Sequence, residues 1–528
     1  MKGLPIGEQD FKKIIVNNMI YVDKTRYIHE LLNSGQTYYF VSRPRRFGKT
    51  LTLSVIENIF RGEKELFRNT WIHDKWDWKE RYPVIRLNFS AITSRRIESF
   101  LEKVGQILSE QALLNGIKTR GRDINVKFSN LIFDISMKQK KPVVVLVDEY
   151  EKAVLDSIDD IDRAKMMREL LRELYSVLKE RDKELRFILI TGITKFTKMG
   201  VFSALNNLND VSFDDRYAQM FGYTEKELES YFGDYIERYC RERQMNRNDL
   251  LEKLREHYNG FSFNGMDKVY NPYSVLLFFD KGYFKDYWHQ SGAPSFLYKY
   301  IKDKRIEIEK ITGEMITESK FTSKEVEEAD PISFLTQAGY LTYVGREETS
   351  TGELWYKVDF PNKDAQTSFA RLMIEVKHSI REEEIYGFKR VIDEGILRKD
   401  IDKLNNGLMS AIQYITHRAG YEAMKRVPEL IYTSWLYLIL AASGYNVMME
   451  EEQISGRPDV VMKTNGEVWI FEVKIDKDAK EAIKQIKTKG YWRKYAGKKV
   501  YAIGVSISSE KRNIEHMIME ELGTEIAN

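Results

Sequence analysis

Apolar and polar positions along this chain follow two rhythms. Tyr38-Tyr39-Phe40-Val41, Val143-Val144-Val145-Leu146-Val147 and Phe187-Ile188-Leu189-Ile190 are short, unbroken apolar runs rich in β-branched and aromatic residues. Such runs predict strands buried on both faces of a parallel sheet. Residues 51–60 and 160–182 instead suit amphipathic or charged helices, and the order of these elements is strand, helix, strand, helix, strand. Residues 224–290 read mainly as helix, interrupted by the turn-rich stretch His257-Tyr258-Asn259-Gly260-Phe261-Ser262-Phe263-Asn264-Gly265. Between Pro331 and Pro361 the pattern is a short helix with Ile332, Phe334 and Leu335, a strand over 340–344, a polar turn around Ser350-Thr351-Gly352, and a strand over 354–358. Helix followed by hairpin outlines a winged helix. Residues 363–426 return to helix. Farther on, Asn465-Gly466 separates two apolar runs, a strong hairpin signal, before a helix over 478–489 with Ala482, Ile483 and Ile486 on its inner stripe and a closing strand over 500–507.

Composition narrows the class. A chain of 528 residues suggests two to four domains, and 43% hydrophobic with 12% aromatic residues is enough to fill their cores. The net charge of +3 is nearly balanced, so attraction to nucleic acid or to an anionic membrane has to be local. A lone Cys240 excludes an intrachain disulfide and suits a reducing compartment. The longest apolar block, 430–442, is interrupted by Thr433 and Ser434 and is too short to span a bilayer. A cytoplasmic protein without a membrane partner is expected.

Two constellations carry chemistry. The first is Ser42-Arg43-Pro44-Arg45-Arg46-Phe47-Gly48-Lys49-Thr50, placed between a strand and a helix. In a phosphate-binding loop, backbone N–H groups around Gly48 cradle the phosphates, Lys49 reaches the β/γ-phosphates and Thr50 holds Mg²⁺. Arg43 stands where the usual pattern G-x-x-x-x-G-K-[ST] has its first Gly, which suggests a different loop shape or the use of Arg43, Arg45 or Arg46 as extra phosphate contacts. The plainer reading is a basic loop before a helix. A partner acid sits at the end of the 143–147 strand, where Asp148 can hold Mg²⁺ and Glu149 can orient an attacking water. Thr191 or Thr194, at the end of the next strand, could serve as a sensor of the γ-phosphate, with Lys195 as a charge contact.

The second constellation is Arg457-Pro458-Asp459 with Phe471-Glu472-Val473-Lys474 across the hairpin. Alternation puts Glu472 and Lys474 on one face, so two carboxylates and a Lys converge at one edge. Asp459 and Glu472 would hold Mg²⁺, or Mn²⁺ in its place, and Lys474 would orient a water or offset phosphate charge, an apparatus for phosphodiester hydrolysis. A surface salt bridge is the alternative for the Glu472 and Lys474 pair. Gln485 lies near the edge of the next helix's stripe. Tyr491, Trp492, Arg493, Lys494, Tyr495, Lys498 and Lys499 mix aromatic and basic groups suited to nucleic acid, or form a solvated basic face.

These residues resemble a bacterial and archaeal architecture in which an N-terminal AAA-ATPase-like domain is joined to a C-terminal nuclease domain of the PD-(D/E)XK superfamily. Its marks are Tyr21-Val22-Asp23-Lys24-Thr25, the 43–50 loop, Asp148-Glu149-Tyr150, Thr191-Gly192-Ile193-Thr194-Lys195-Phe196, Phe202-Ser203-Ala204-Leu205-Asn206-Asn207-Leu208, Tyr270-Asn271-Pro272-Tyr273-Ser274 and Tyr287-Trp288. The resemblance implies an α/β chain: a P-loop nucleotide-binding domain with a parallel sheet over 1–215, a helical region over 216–325, a winged-helix-like segment over 326–362, a helical linker over 363–426, and a restriction-endonuclease-like α/β domain over 427–528. It implies Asp459, Glu472 and Lys474 as the nuclease motif, Gln485 as an auxiliary, and Glu429 as a further acid on the first helix. ATP and Mg²⁺ are the implied cofactors and nucleic acid, DNA before RNA, the implied substrate, in DNA metabolism or mobile-element defence; a homo-oligomer stays open. The expected function is an ATP-gated or ATP-powered, Mg²⁺-dependent nuclease. The alternative is a nucleotide-dependent switch or a DNA-binding scaffold that does not cut.

Overall fold

The computed structural model describes residues 1–90, 92, 96–195, 198–202, 205, 207–290, 295–303, 306–318, 320, 330–418, 427–449, 456–464 and 466–522. The chain divides into two compact units. One comprises Met1–Tyr287, Pro294–Tyr300 and Gly313–Asn362; the other comprises Trp288–Ala293, Ile301–Thr312 and Lys363–Asn528.

The first unit is built on a parallel sheet of β1 (Tyr38–Ser42), β2 (Val84–Asn88), β3 (Val143–Asp148), β4 (Leu185–Gly192) and β5 (Asn209–Asp210), in the order β2-β3-β4-β1-β5. The apolar runs are strands for the expected reason: every residue of β1 and β3 is buried. After β1 the chain leaves for the far edge and returns strand by strand through β2, β3 and β4, so β4 lies between β1 and β3. The direction of strand order changes beside β1, and at such a switch point the carboxyl ends of neighbouring strands open a crevice for a ligand. Helix Lys49–Phe60 leaves that edge directly, with Gly48 as its left-handed N-cap at φ 89°.

The mainly helical stretch takes the form of helices Glu225–Tyr231, Gly233–Arg243, Arg247–Tyr258 and Pro272–Lys281. Thr224 and Glu227 close a capping box on the first of them, and Asn271 caps the last ahead of Pro272. Leu228, Phe232, Ile236, Leu254, Tyr258 and Phe278 pack into one cluster that also takes in Ile20 and Val22. Helix Pro331–Ala338 follows β6 (Met315–Thr317) and precedes β7 (Thr342–Glu348) and β8 (Leu354–Asp359); the three strands form an antiparallel sheet ordered β6-β8-β7. Helix and hairpin match the winged outline; β6 is an addition that no periodicity announced.

The second unit holds a mixed sheet of β9 (Asn446–Met449), β10 (Val460–Lys463), β11 (Glu467–Ile475), β12 (Lys499–Ser508) and β13 (Asn513–Leu522), ordered β13-β12-β11-β10-β9. Only β11 and β12 run parallel, and helix Ala479–Lys489 makes their crossover. The β10–β11 turn closes through Thr464 N–H to the Glu467 carbonyl at 3.0 Å, with Gly466 at φ 80°; Asn465 lies outside the described residues. Helices Lys363–His378, Glu382–Arg398, Ile401–Arg418 and Glu429–Ala442 complete the unit. Among the described residues no helix is long and apolar enough to cross a membrane.

Candidate nucleotide and nuclease sites

At the carboxyl edge of the first sheet, three of the anticipated residues meet through one carboxylate. Thr50 Oγ1 donates to Asp148 Oδ2 at 2.6 Å, and Thr191 Oγ1 donates to Asp148 Oδ1 at 2.8 Å. Strand order explains the meeting: Thr191 is the penultimate residue of β4, which lies between the strands that carry the loop and the acid. Lys49 Nζ donates to the Arg43 and Pro44 carbonyls at 2.8 and 3.0 Å, tying the start of the loop to the helix that follows it. An ammonium has three donors, so one is left for an anion. Burial lowers the Lys49 pKa, against the opposing charges of Asp148, Glu149 and Glu151. No side chain caps the N-terminus of helix Lys49–Phe60, so its first-turn N–H groups face the same space. Unsatisfied amides, an ammonium and a Thr–Asp pair at one helix N-terminus form a donor set that fits nucleotide phosphates and their Mg²⁺.

The missing loop Gly has a structural answer. Positive φ falls on Arg46, at 67°, and on Gly48, and Arg43 is not among the residues with left-handed backbone. Arg46 bears a conformation that costs a non-glycine residue about 1 kcal/mol, with its guanidinium 4.6 Å from the Tyr273 ring. Arg45 is half-buried in the same loop. Arg43 is no phosphate contact. It is 2% exposed, donates to the Ser42 and Ser212 carbonyls at 2.8 Å, and lies 4.1 Å from the Phe263 ring. Burial pulls its pKa down to about 9, which still leaves it charged at neutral pH. Phe47, also buried, stands edge-on to Phe261 and Phe263, so the turn-rich 257–265 stretch is the backstop of the loop. Lys195 is likewise turned inward, 2% exposed and 3.0 Å from Asp210, so it does not serve as a phosphate contact.

Glu149 follows Asp148 with φ 54° and stays half-buried at the edge of the site. Its left-handed backbone swings the next two residues back towards β4. Tyr150 N–H donates to the Thr191 carbonyl at 3.2 Å, and Tyr150 Oη donates to the Thr194 carbonyl at 2.9 Å. Glu151 is 1% exposed, and its Oε1 accepts the backbone N–H groups of Ile193 and Thr194. Sequence reasoning passed over Glu151; an acid three residues beyond Asp148 carries no signal until β4 is known to lie beside it.

In the second unit, the β10–β11 register sets Val460 against Phe471, which brings Asp459, just ahead of β10, level with Glu472. Asp459 Oδ2 accepts Val473 N–H at 2.7 Å. Glu472 is 2% exposed; its Oε1 accepts from Lys474 Nζ at 3.1 Å and from Gln485 Nε2. Burial, and then the Asp459 charge, push the Glu472 pKa up to about 7. Its Oε2 is buried without a hydrogen-bond partner among the described residues. A carboxylate oxygen left bare beside a second carboxylate fits a divalent cation. Among the described residues no third His, Cys, Asp or Glu completes a cluster around them. Glu429 stands 4.0 Å from Lys474 Nζ and half in solvent, near the site through the lysine.

Similarity to known proteins follows the same two sites. Residues 5–202 match the family model described as predicted AAA-ATPase, AAA-ATPase-like, and residues 427–517 match that of the PD-(D/E)XK nuclease superfamily. The chain is 34% identical over 529 residues to a protein of Azotobacter chroococcum mcd 1 named "Uncharacterized protein in vnfD 5'region", covering 99% of both chains. The chain belongs to the AAA-ATPase-like proteins with a PD-(D/E)XK nuclease domain. In this family member the nuclease sheet depends on a residue that the motif omits. Gly504 pairs with Glu472 across β11 and β12, and a Cβ there would lie 2.2 Å from the Ala479 carbonyl oxygen. A bare backbone at Gly504 lets helix Ala479–Lys489 approach closely enough for Gln485 to reach Glu472. The aromatic and basic stretch is split: Tyr491 and Tyr495 are buried in the core under that helix and offer no stacking surface, whereas Arg493, Lys494, Lys498 and Lys499 are exposed.

Proposed function

We propose that this protein is a Mg²⁺-dependent nuclease that hydrolyses phosphodiester bonds of DNA, with Mn²⁺ able to replace Mg²⁺, and that ATP bound by the N-terminal domain gates or powers cutting. The observation that carries this reading is the buried Glu472 carboxylate, with one oxygen held by Lys474 and Gln485 and the other bare beside Asp459. Asp459 and Glu472 would hold the cation, which when bound supplies the charge and Lewis acidity that phosphodiester displacement needs. Lys474 keeps a positive charge at the mouth of the site, where a phosphate oxygen would enter, and Gln485 fixes the orientation of Glu472. Exposed Arg493, Lys494, Lys498 and Lys499 offer phosphate contacts on the same domain. At the other site, Lys49 and the loop amides take the phosphates, Thr50 and Asp148 would hold Mg²⁺, Thr191 orients Asp148, and Glu149 is placed to orient water.

Cleavage of labelled single- and double-stranded DNA tests this, with Mg²⁺ or Mn²⁺ and with or without ATP. Asp459→Ala and Lys474→Ala are expected to lower cleavage by about a hundredfold or more, and Lys49→Ala to abolish the response to ATP. Undiminished cleavage in both nuclease variants removes the site. Cleavage of RNA alone corrects the substrate.

A further inference from the structure

We propose that Glu151 is a positioning residue of the nucleotide site, holding the backbone that follows Thr191 so that Thr191 and Asp148 meet in the geometry that receives Mg²⁺ with the nucleotide. The inference rests on the nucleotide-binding reading given above.

Its ground is the way the ends of β3 and β4 are cross-linked. Glu151 Oε1 takes the amides of Ile193 and Thr194, the residues immediately beyond Gly192. Tyr150 takes the carbonyls of Thr191 and Thr194 on the same segment. The β4 end is therefore held by its donors and its acceptors at once, from two consecutive residues of the acidic turn. Gly192 makes this possible: a Cβ there would lie 2.3 Å from Glu151 Oε2 and 2.5 Å from the Tyr150 ring. Glu151 Oε2 is buried with no hydrogen-bond partner among the described residues. A carboxylate taken out of water for two amide bonds and left half-satisfied is expensive. A neutral or apolar residue would serve packing at lower cost, so the expense points to placement of the loop. What the clamp places is Thr191, whose hydroxyl orients Asp148 from the side opposite Thr50.

The test is ATP affinity, measured by calorimetry on the full chain in Mg²⁺ and in EDTA. The ratio of the two affinities reports the Asp148 contribution, while affinity in EDTA reports the loop cradle. Glu151→Asp keeps the charge but withdraws the carboxylate by one methylene, out of reach of both amides; the ratio is expected to fall about tenfold with affinity in EDTA unchanged. Glu151→Gln keeps an acceptor oxygen in place and is expected to stay within about threefold of wild type. The opposite order, with Asp tolerated and Gln not, overturns positioning in favour of charge. Equal loss with and without Mg²⁺, or no loss in Glu151→Asp, also overturns it. Lys49→Ala is the control: if it binds ATP as wild type does, or if wild type gains nothing from Mg²⁺, the nucleotide reading itself has failed.

Discussion

Arg43 and Glu472 are both buried charges, and their surroundings give them opposite meanings. Arg43 is met by carbonyls and aromatic rings, so it is a fastener between the loop and the 212–221 and 263 segments. Arg43→Met is expected to cost about 2–4 kcal/mol, by stranding buried carbonyls and losing the ring contacts. It should lower the melting temperature while ATP affinity per folded molecule changes by less than threefold. A tenfold loss of affinity in a fully folded variant would restore Arg43 as a phosphate contact. Glu472, by contrast, has an oxygen that no described residue satisfies. Glu472→Gln is expected to remove the Mg²⁺- or Mn²⁺-dependent thermal shift of the nuclease domain without unfolding it. Residue identity carried this distinction only in part. The nuclease acids and lysine could be read from alternation around a hairpin, because a strand's period of two is visible in sequence. The inward turn of Arg43 and Lys195 could not, because it depends on rings and acids supplied by segments far along the chain.

At the scale of elements, the strands with continuous apolar runs were readable, as were the amphipathic helices near 51–60, 160–182 and 478–489 and the hairpin with its turn pair. Those signals lie within one segment. β2, β5, β9 and β13 escaped because they are short, polar on one face, or edge strands. Gly504 escaped for a further reason: a glycine within a strand announces a close approach but not what approaches. Gly504→Ala is expected to push helix Ala479–Lys489 outward, costing about 1–3 kcal/mol by overpacking. DNA cleavage should fall at least tenfold as Gln485 draws away from Glu472, with ATP affinity untouched. Full cleavage by a folded Gly504→Ala would show that the helix need not sit so close.

At the scale of the whole molecule, two units with separate ligands should respond separately in calorimetry. ATP at a hundred times its Kd stabilises what binds it by about 2.7 kcal/mol, and that shift is expected in the transition that Lys49→Ala alters. The second unit carries a pH signature of its own. His378 is 6% exposed beside Trp435, and burial, then the Lys377 charge, lowers its pKa from 6.5 to about 4. Between those values the unfolded chain binds the proton and the folded chain does not. Stability is therefore expected to fall as pH drops from about 6.5 towards 4, by on the order of 3 kcal/mol. His378→Phe should flatten that slope; an unchanged slope would assign it to other groups. The division of the chain also governs the order of folding during synthesis. Residues 288–293 and 301–312 belong to the second unit although they precede the end of the first, which closes only at Asn362. The loop at 43–50 waits for Phe261 and Phe263 before it has a backstop. A ribosome must therefore pass Phe263 before the 43–50 loop gains its aromatic support, and a stop placed at residue 202 would release a polypeptide with that loop unsupported.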